Sequence, residues 1–220
     1  LILDGGSTDG SVEIIKRYAN KYPRVVNWRS YKDSGQVAAI NEGLKKASGE
    51  IVAYINSDDY YLPGAFKLAA KSFIRHADRA WLTGNCLVRG RPFWIIKYVD
   101  FWRQHYSLSI LLVLNCIAQP ATFWRRSLLE KAGFFNDRYK FAFDYDYWLK
   151  AGKLSDPIII DHPLACFRVH RQAKGFNNFV TQFREEIAAS DRQNNSIWLK
   201  LLHRVHVYGL VLPGYFLNRL

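Results

Sequence analysis

An α/β fold, a mostly parallel sheet flanked by helices, is what this sequence predicts, on three observations. Short apolar runs alternate with segments of helical period from Leu1 to His76. Several of those runs end in acidic residues, the position at which open parallel sheets bind ligands. About half of the chain (49%) is apolar, which is enough for a substantial core.

Leu1–Leu3 reads as a short strand ending at Asp4, followed by the turn Gly5-Gly6-Ser7-Thr8-Asp9-Gly10. Val12, Ile15, Tyr18 and Tyr22 recur at helical spacing, and Pro23 stops that helix. Arg24–Trp28 is the next expected strand, and Gly35–Ala47 the next helix, closed by Ser48-Gly49. Ile51–Ile55 is a buried strand that runs into Asn56-Ser57-Asp58-Asp59, and Pro63 opens a helix reaching about His76. The second half is less regular. Strands are expected at Ala80–Thr83, Ala121–Trp124, Ile158–Ile160 and Ala165–Val169. Helices are expected at Ser127–Ala132, Asp144–Ala151, Asn178–Asn194 and from Ile197 to a stop at Pro213, whereas Phe93–Ile117 shows no clear period. The chain has no Met and begins inside an apolar run, so a sheet lacking its N-terminal first strand is expected.

The 220 residues fit one large domain, or one domain and a tail. The formal charge of +12 calls for an anionic partner. No helix-turn-helix, zinc-finger or RNA-recognition pattern is present, so nucleic acid is set aside in favour of a phosphorylated substrate or an anionic membrane face. Cys86, Cys116 and Cys166 lie far apart with no CxxC spacing; they read as inert packing thiols of a reducing, cytoplasmic compartment. No run reaches the roughly 18–20 apolar residues that cross a bilayer.

Acids stand at the ends of candidate strands or at a helix start: Asp4, the pair Asp58/Asp59, and Asp144 with Asp146. Carboxylates so placed hold a ribose hydroxyl, a divalent metal or a proton, or they cap a helix or turn. The adjacent Asp58 and Asp59 repel one another after a buried strand unless a cation neutralises them, and Mg²⁺ or Mn²⁺ carrying a diphosphate is the natural partner.

The ordered set resembles the family 2 glycosyltransferases. It runs from Leu3-Asp4-Gly5-Gly6-Ser7-Thr8-Asp9-Gly10-Ser11 through Asp33-Ser34-Gly35-Gln36, Ala39-Ile40-Asn41-Glu42-Gly43, Gly49-Glu50 and Asn56-Ser57-Asp58-Asp59. It continues through Gln119–Arg126, Gly133-Phe134-Phe135-Asn136, Phe143–Leu149, and Phe167-Arg168-Val169-His170 with Lys174. Each piece is weak alone; their order and spacing over residues 1–175 are specific. The resemblance implies a GT-A fold for residues 1–175, with 176–220 as a C-terminal helical extension. It implies a nucleotide-sugar donor such as a UDP-sugar, a divalent cation, and inversion at the anomeric carbon. By position, Asp4 would bind the nucleotide base, Asp58 the ribose or metal, and Asp59 the metal. Many relatives carry an acid at Asn56 and a Glu at Phe143; their absence here alters the metal shell and leaves Asp144 as the one acid of the base position.

Asp144 suits that role on chemical grounds, because inversion needs a carboxylate opposite the leaving group to accept the acceptor hydroxyl's proton. Asp146 would point away on a helix and reads as structural; Trp148 reads as core. His170 and Lys174 would offset charge on the leaving diphosphate, or form a solvated basic loop. Gln36 and Asn41 would hydrogen-bond the donor or a turn backbone.

Arg89–Asn115 interleaves Arg89, Arg91, Lys97 and Arg103 with Phe93, Trp94, Tyr98, Phe101, Trp102 and Tyr106. It reads as a surface near a glycan or lipid-linked acceptor, or as an aromatic lid on the core. Trp198, Leu201, Leu202, Val205, Tyr208 and Leu212 recur at helical spacing with Lys200, Arg204 and His206 between them. That pattern fits peripheral contact with the cytoplasmic face of an inner membrane, a core helix or a dimer helix. The functional expectation is a glycosyltransferase of cell-surface polysaccharide or glycolipid assembly; the alternative is a non-catalytic nucleotide-sugar or glycan-binding module on the same fold. A nucleotidyltransferase is disfavoured by the Gln119–Arg126 and Asp144 stretches.

Overall fold

The computed structural model describes residues 1–89, 93–170, 174 and 178–217. In chain order the elements are β1 (Ile2–Asp4), α1 (Ser11–Lys21), β2 (Trp28–Ser30), α2 (Gln36–Lys46), β3 (Ile51–Val52), β4 (Tyr60–Tyr61) and α3 (Ala65–Arg75). There follow β5 (Trp81–Arg89), α4 (Phe93–Gln104), α5 (Leu108–Leu111), a 3-10 turn at Gln119–Ala121, β6 (Thr122–Arg125), α6 (Leu128–Ala132), α7 (Phe143–Leu154) and β7 (Ile158–Arg168). The chain closes with α8 (Phe179–Gln193), α9 (Ile197–His206), a π-helical turn at Val207–Val211 and α10 (Leu212–Leu217).

Among the described residues, β1 and β2 form a parallel pair and the other strands form a five-stranded sheet in the order β3-β6-β5-β7-β4. The β5–β7 pair is parallel, but β3–β6, β5–β6 and β4–β7 are antiparallel, so this sheet is mixed. The parallel arrangement read from the sequence holds for the β1–β2 and β5–β7 pairs. The short β4 and β6 instead lie antiparallel to their neighbours.

Where two strands were expected at 158–160 and 165–169, one strand, β7, runs unbroken through Pro163. Its register against β5 shifts around Asn85, and that irregularity accommodates the missing N–H of proline. Gly84 lies at the shift, where an added Cβ would come within 2.6 Å of Leu164 Cδ1.

The largest core cluster packs the sheet against α7 and α5. Trp148 is fully buried and stacks on Trp81 at 5.7 Å between ring centroids, so its reading as core holds. Asp146 is also buried and pairs with Lys150 at 2.6 Å, the structural role expected of it. All three cysteines are buried and unpaired. Helix α8 is fastened to this core: Ala189 joins the cluster, Ser190 Oγ donates to Leu112 O at 2.6 Å, and Lys153 donates to Gln193 Oε1 at 2.8 Å.

The segment that showed no period folds as α4 and α5. Tyr98, Trp102 and Tyr106 pack against the core, and Arg103 is buried, paired with Asp100 and donating to Asn85 Oδ1 at 2.7 Å. Arg103 is therefore not an interfacial cation, while Phe101 does face solvent. Arg91 and the side chains of Phe93 and Trp94 lie outside the described residues. Pro213 does not stop the last helix. It sits at the second residue of α10, inside a helical run that continues directly from the π-helical turn 207–211. On α9, Ile197, Trp198, Leu201, Leu202 and Val205 are exposed, whereas Leu199 packs on the core. Leu212 packs in a small cluster with Phe179, Phe183, Ile187 and Val207.

Candidate active site

A broad cleft opens beside the β3–β4 connection, between α2 on one side and the start of α7 on the other. Its lining includes Gln36, Asp58, Asp59, Asp144, His170 and Lys174, which are separated by up to 138 residues in the chain. Asp4 and Asn41 do not line it, although Gly5 and Asp33 do.

Asp4 ends β1 and organises the turn after it. Its Oδ2 accepts from Gly6 N (2.9 Å), Ser7 N (2.9 Å) and Ser30 Oγ (2.6 Å), and its Oδ1 accepts from Ser7 Oγ at 2.5 Å. These donors, the Ser30 hydroxyl foremost, hold the carboxyl far below its usual range. Gly6, at φ 87°, lets the turn pass close to the backbone of Lys32, where a Cβ would sit 3.3 Å from its nitrogen. The expected base-binding acid thus faces its own turn, with its acceptor sites in use.

Asn41 takes the second of its two expected roles, a bond to loop backbone. Its Nδ2 donates to Phe135 O at 2.8 Å and its Oδ1 accepts from Phe135 N at 3.0 Å. Both polar atoms bracket the backbone after α6, which places the amide away from a donor and explains an Asn inside a helix. Gln36, at the first residue of α2, does face the cleft. Its Nε2 donates to Asn56 Oδ1 at 2.8 Å, and its Oε1 accepts from Lys174 Nζ at 3.0 Å.

Asp58 and Asp59 close the loop before β4. Asp58 Oδ2 lies 3.1 Å from His170 Nε2, and its carbonyl accepts from Arg168 Nε. Asp59 is buried. Its Oδ1 accepts from Arg168 N at 2.9 Å, while its Oδ2 has no hydrogen-bond partner. Burial raises the Asp59 carboxyl, and the neighbouring Asp58 charge adds to the rise against the Arg168 N–H. A buried, unpartnered carboxylate oxygen is an acceptor awaiting a cation or donor. Among the described residues no group of three or more His, Cys, Asp and Glu surrounds a common point. A metal held by Asp59 Oδ2 and Asp58 would therefore complete its shell from a diphosphate, as hard cations do.

Asp144 is the second residue of α7, at the cleft wall, and its Oδ1 accepts from Tyr145 N at 2.8 Å. Burial pushes its carboxyl up to about 6, against the opposing effects of the Tyr145 N–H and of Lys174. That value suits a group that must be ionised yet able to take a proton near neutrality. Phe143 is buried against Tyr54 and Phe135. Lys174 Nζ reaches across to donate to Lys140 O at 2.6 Å and lies over the Phe141 ring. Partial desolvation lowers its pKa, opposed by the charges of Glu185 and Asp144.

Three features were not read from the sequence. Arg168 holds both acids of the pair through backbone and side chain, and its only signal was its place beside His170. Glu185 accepts from the backbone N–H groups of Lys140, Phe141 and Ala142. Glu186 is buried, with its carboxyl pushed up to about 8 by burial and further by the Asp144 charge. Both glutamates lie on α8, where they resemble any solvated pair of a helix.

The sequence model of glycosyl transferase family 2 matches residues 1–147. A PGL/p-HBAD biosynthesis glycosyltransferase of Mycobacterium tuberculosis is 27% identical over 162 residues, which cover 73% of this chain and 59% of that protein. The chain thus spans about three-fifths of the length of that relative. Among solved structures, the mannosyltransferase PcManGT from Pyrobaculum calidifontis, in complex with GDP-Man and Mn²⁺, superposes with a TM-score of 0.68 at 19% identity, over 98% of this chain and 62% of that one. S. aureus TarS 1-349, in complex with UDP-GlcNAc, superposes with a TM-score of 0.62 at 23% identity, over 90% of this chain and 59% of that one. The architecture is the GT-A fold that the sequence motifs implied.

Proposed function

Since the chain belongs to glycosyl transferase family 2, we propose that it moves a sugar from a nucleotide-diphosphate donor, a UDP-sugar, to a hydroxyl acceptor with inversion. The observation that carries this reading is the meeting, in one cleft, of Asp144 with the Asp58/Asp59 pair and with Lys174 and His170. The nucleotide sugars held by TarS and PcManGT support it, as does the biosynthetic role named for the mycobacterial relative. We place the product in cell-surface polysaccharide or glycolipid assembly.

In this reading Asp144 accepts the acceptor's hydroxyl proton. The freed oxygen lone pair forms the new bond to the anomeric carbon, and the bond from that carbon to the diphosphate breaks on the opposite face with its electrons leaving on phosphate oxygen. Lys174 and His170 stand where that negative charge grows, and Gln36 holds Lys174 toward it. Asp59 Oδ2 and Asp58 would hold the divalent cation, Mn²⁺ or Mg²⁺, which when bound supplies Lewis-acid stabilisation of the diphosphate. The chain from Ser7 to Ser30 shapes the base pocket through the Asp4 carboxylate, with Gly5 on the cleft side.

The direct test is UDP release from a panel of UDP-sugars, followed across pH. The Asp144 carboxyl stands at about 6, so kcat/KM should rise as pH rises through that value and level off above it, where the base is ionised. A rate that falls through that region, or no release with any donor, would count against the reading, and the latter would favour the non-catalytic module.

We also propose that the acceptor is met at a lipid surface through α9. No helix among the described residues is long and apolar enough to cross a membrane. Yet α9 exposes Trp198 (77%), Val205 (66%) and Ile197 (61%), with Lys200 and Arg204 between them. Arg204 is already paired with Asp191 at 2.5 Å, so Lys200 and the chain's overall positive charge carry the attraction to anionic headgroups. The expected result is co-sedimentation with vesicles containing phosphatidylglycerol, weakened at least about tenfold by Trp198→Asp. Equal recovery of both proteins in the supernatant would remove the membrane contact from the proposal.

A further inference from the structure

The loop 140–142 has no regular structure of its own, yet it sets the geometry of both sides of the cleft. Ala142 is the N-cap of α7, and its carbonyl accepts the Asp146 N–H at 3.0 Å, so Ala142 fixes where the helix bearing Asp144 begins. The carbonyl of Lys140 accepts from Lys174 Nζ at 2.6 Å, and the same Nζ donates to Gln36 Oε1 at 3.0 Å. Three consecutive N–H groups of this loop converge on one carboxylate from another helix. Lys140 N donates to Glu185 Oε1 at 3.1 Å, and Phe141 N (2.7 Å) and Ala142 N (3.1 Å) donate to Glu185 Oε2.

Building on the reading of this cleft as a transferase site, we propose that Glu185 is a positioning residue: by clamping the 140–142 backbone it holds Asp144 in place beside the donor. Charge-assisted hydrogen bonds to three amides are the strongest restraint available to a short loop, and the positive end of the α7 dipole favours a carboxylate at this place. The clamp is itself rigid. Its helix, α8, is anchored by Ser190 on Leu112 O at 2.6 Å and by buried Phe183 and Ile187 on either side of Glu185. Helix α8, part of the segment read from the sequence as an extension after the catalytic domain, is on this view a working part of the catalytic unit.

The clamp acts through Asp144 and not through substrate, which separates it from the residues that hold the donor. Glu185→Ala frees the loop, and a displacement of about 1 Å at Asp144 costs on the order of 10²-fold in turnover. The donor is held from the other side of the cleft, by Asp58 and Asp59, and Lys174 keeps its bond to Gln36 Oε1 when the loop is freed, so UDP affinity should stay within about threefold of the parent chain. With the loop open, water reaches the Asp144 carboxyl and its raised pKa falls toward the ordinary carboxylate range. Glu185→Gln keeps one carbonyl oxygen for the Phe141 and Ala142 N–H groups and should recover most of the lost turnover.

The experiment is a comparison of the parent chain, Glu185→Ala and Glu185→Gln by steady-state kinetics, UDP titration and NMR titration of the Asp144 carboxyl carbon in the absence of substrate. A drop in turnover at constant UDP affinity, a lowered Asp144 titration in the Ala variant and recovery in the Gln variant are the expected results. An Asp144 titration unmoved by Glu185→Ala, or equal loss of turnover and of UDP affinity, overturns the proposal. Because the NMR readout needs no transfer, a parent chain that releases no UDP would fail the enzyme reading while the clamp is still judged on its own. The Gln variant also keeps the test valid should the Ala variant not fold.

Discussion

Asp144→Asn should lower turnover by about 10³-fold, while UDP binding stays close to that of the parent chain. The amide keeps an oxygen for the Tyr145 N–H, so the local hydrogen bond at 2.8 Å survives and only the proton acceptor is lost. The same change should make the protein more stable near neutral pH, which is the opposite of what a damaged fold would do. Burial raises this carboxyl from 3.8 to about 6, so the folded chain binds its proton more tightly than the unfolded chain does. Between those two values the folded state holds more protons, and stability therefore falls as pH rises through the interval. Above it, the ionised group is a net cost to folding. Asn removes that cost, discounted because the carboxyl keeps some contact with solvent. A gain on the order of 1 kcal/mol is expected, or about 2–4 °C in Tm for a chain of this size. Calorimetric scans at pH 7 and about pH 3 check the sign, since the gain should vanish at the lower pH, where the Asp144 carboxyl of the parent is protonated in both the folded and the unfolded state. Turnover within about threefold of the parent would remove Asp144 from the base role.

The parts of the site that were legible in the sequence are those whose chemistry is local. Asp58, Asp59 and Asp144 stand at strand or helix ends, and their neighbours along the chain already create the electrostatic problem that a ligand would solve. Position alone could not tell which acids are free. Asp4 occupies the same kind of place as Asp59, but the hydroxyl of Ser30, brought in by the β1–β2 pairing, and Ser7 use its acceptor sites. Asn41 has the residue type of a donor contact, and its use on Phe135, 94 residues away, depends on how α2 packs. Glu185 was invisible for the converse reason. An i to i+1 pair of glutamates in a polar helix carries no pattern, and its meaning comes only from the loop that α8 meets. At the level of fold, alternation gave α1, α2 and α3, but placed the strand after α1 at Arg24–Trp28 where β2 is Trp28–Ser30. The antiparallel ladders of β4 and β6 escaped because strands of two to four residues have too few side chains to show a face. The irregular stretch 93–117 became α4 and α5, and its period was hidden because Tyr98, Trp102 and Tyr106 pack on the core while an aromatic, Phe101, faces solvent and a charged residue, Arg103, is buried.

The second large effect concerns the buried acid of the pair. Asp59→Asn should abolish the Mn²⁺-dependent part of UDP binding, a loss beyond the roughly 10–100-fold that removal of an outer partner of a metal ligand costs. Binding of UDP alone should be unchanged. The reason lies in the two oxygens of Asp59. Oδ1 accepts the Arg168 N–H at 2.9 Å, and the Asn carbonyl can do the same, so the loop before β4 keeps its shape. Oδ2 is buried without a partner, and in the variant an amide N–H group takes its place, a donor facing the position where a cation would sit. The parent chain should show a second signature. Because burial raises the Asp59 carboxyl, protons compete with the cation at a higher pH than they would at an exposed aspartate. The Mn²⁺-dependent gain in UDP affinity should therefore shrink on acidification while metal-free UDP binding holds steady. Calorimetric titration of UDP with and without Mn²⁺, on both proteins and at two pH values, reads both effects at once. Persistence of the Mn²⁺ gain in Asp59→Asn would place the cation elsewhere, and a gain that grows on acidification would contradict the raised carboxyl as its ligand.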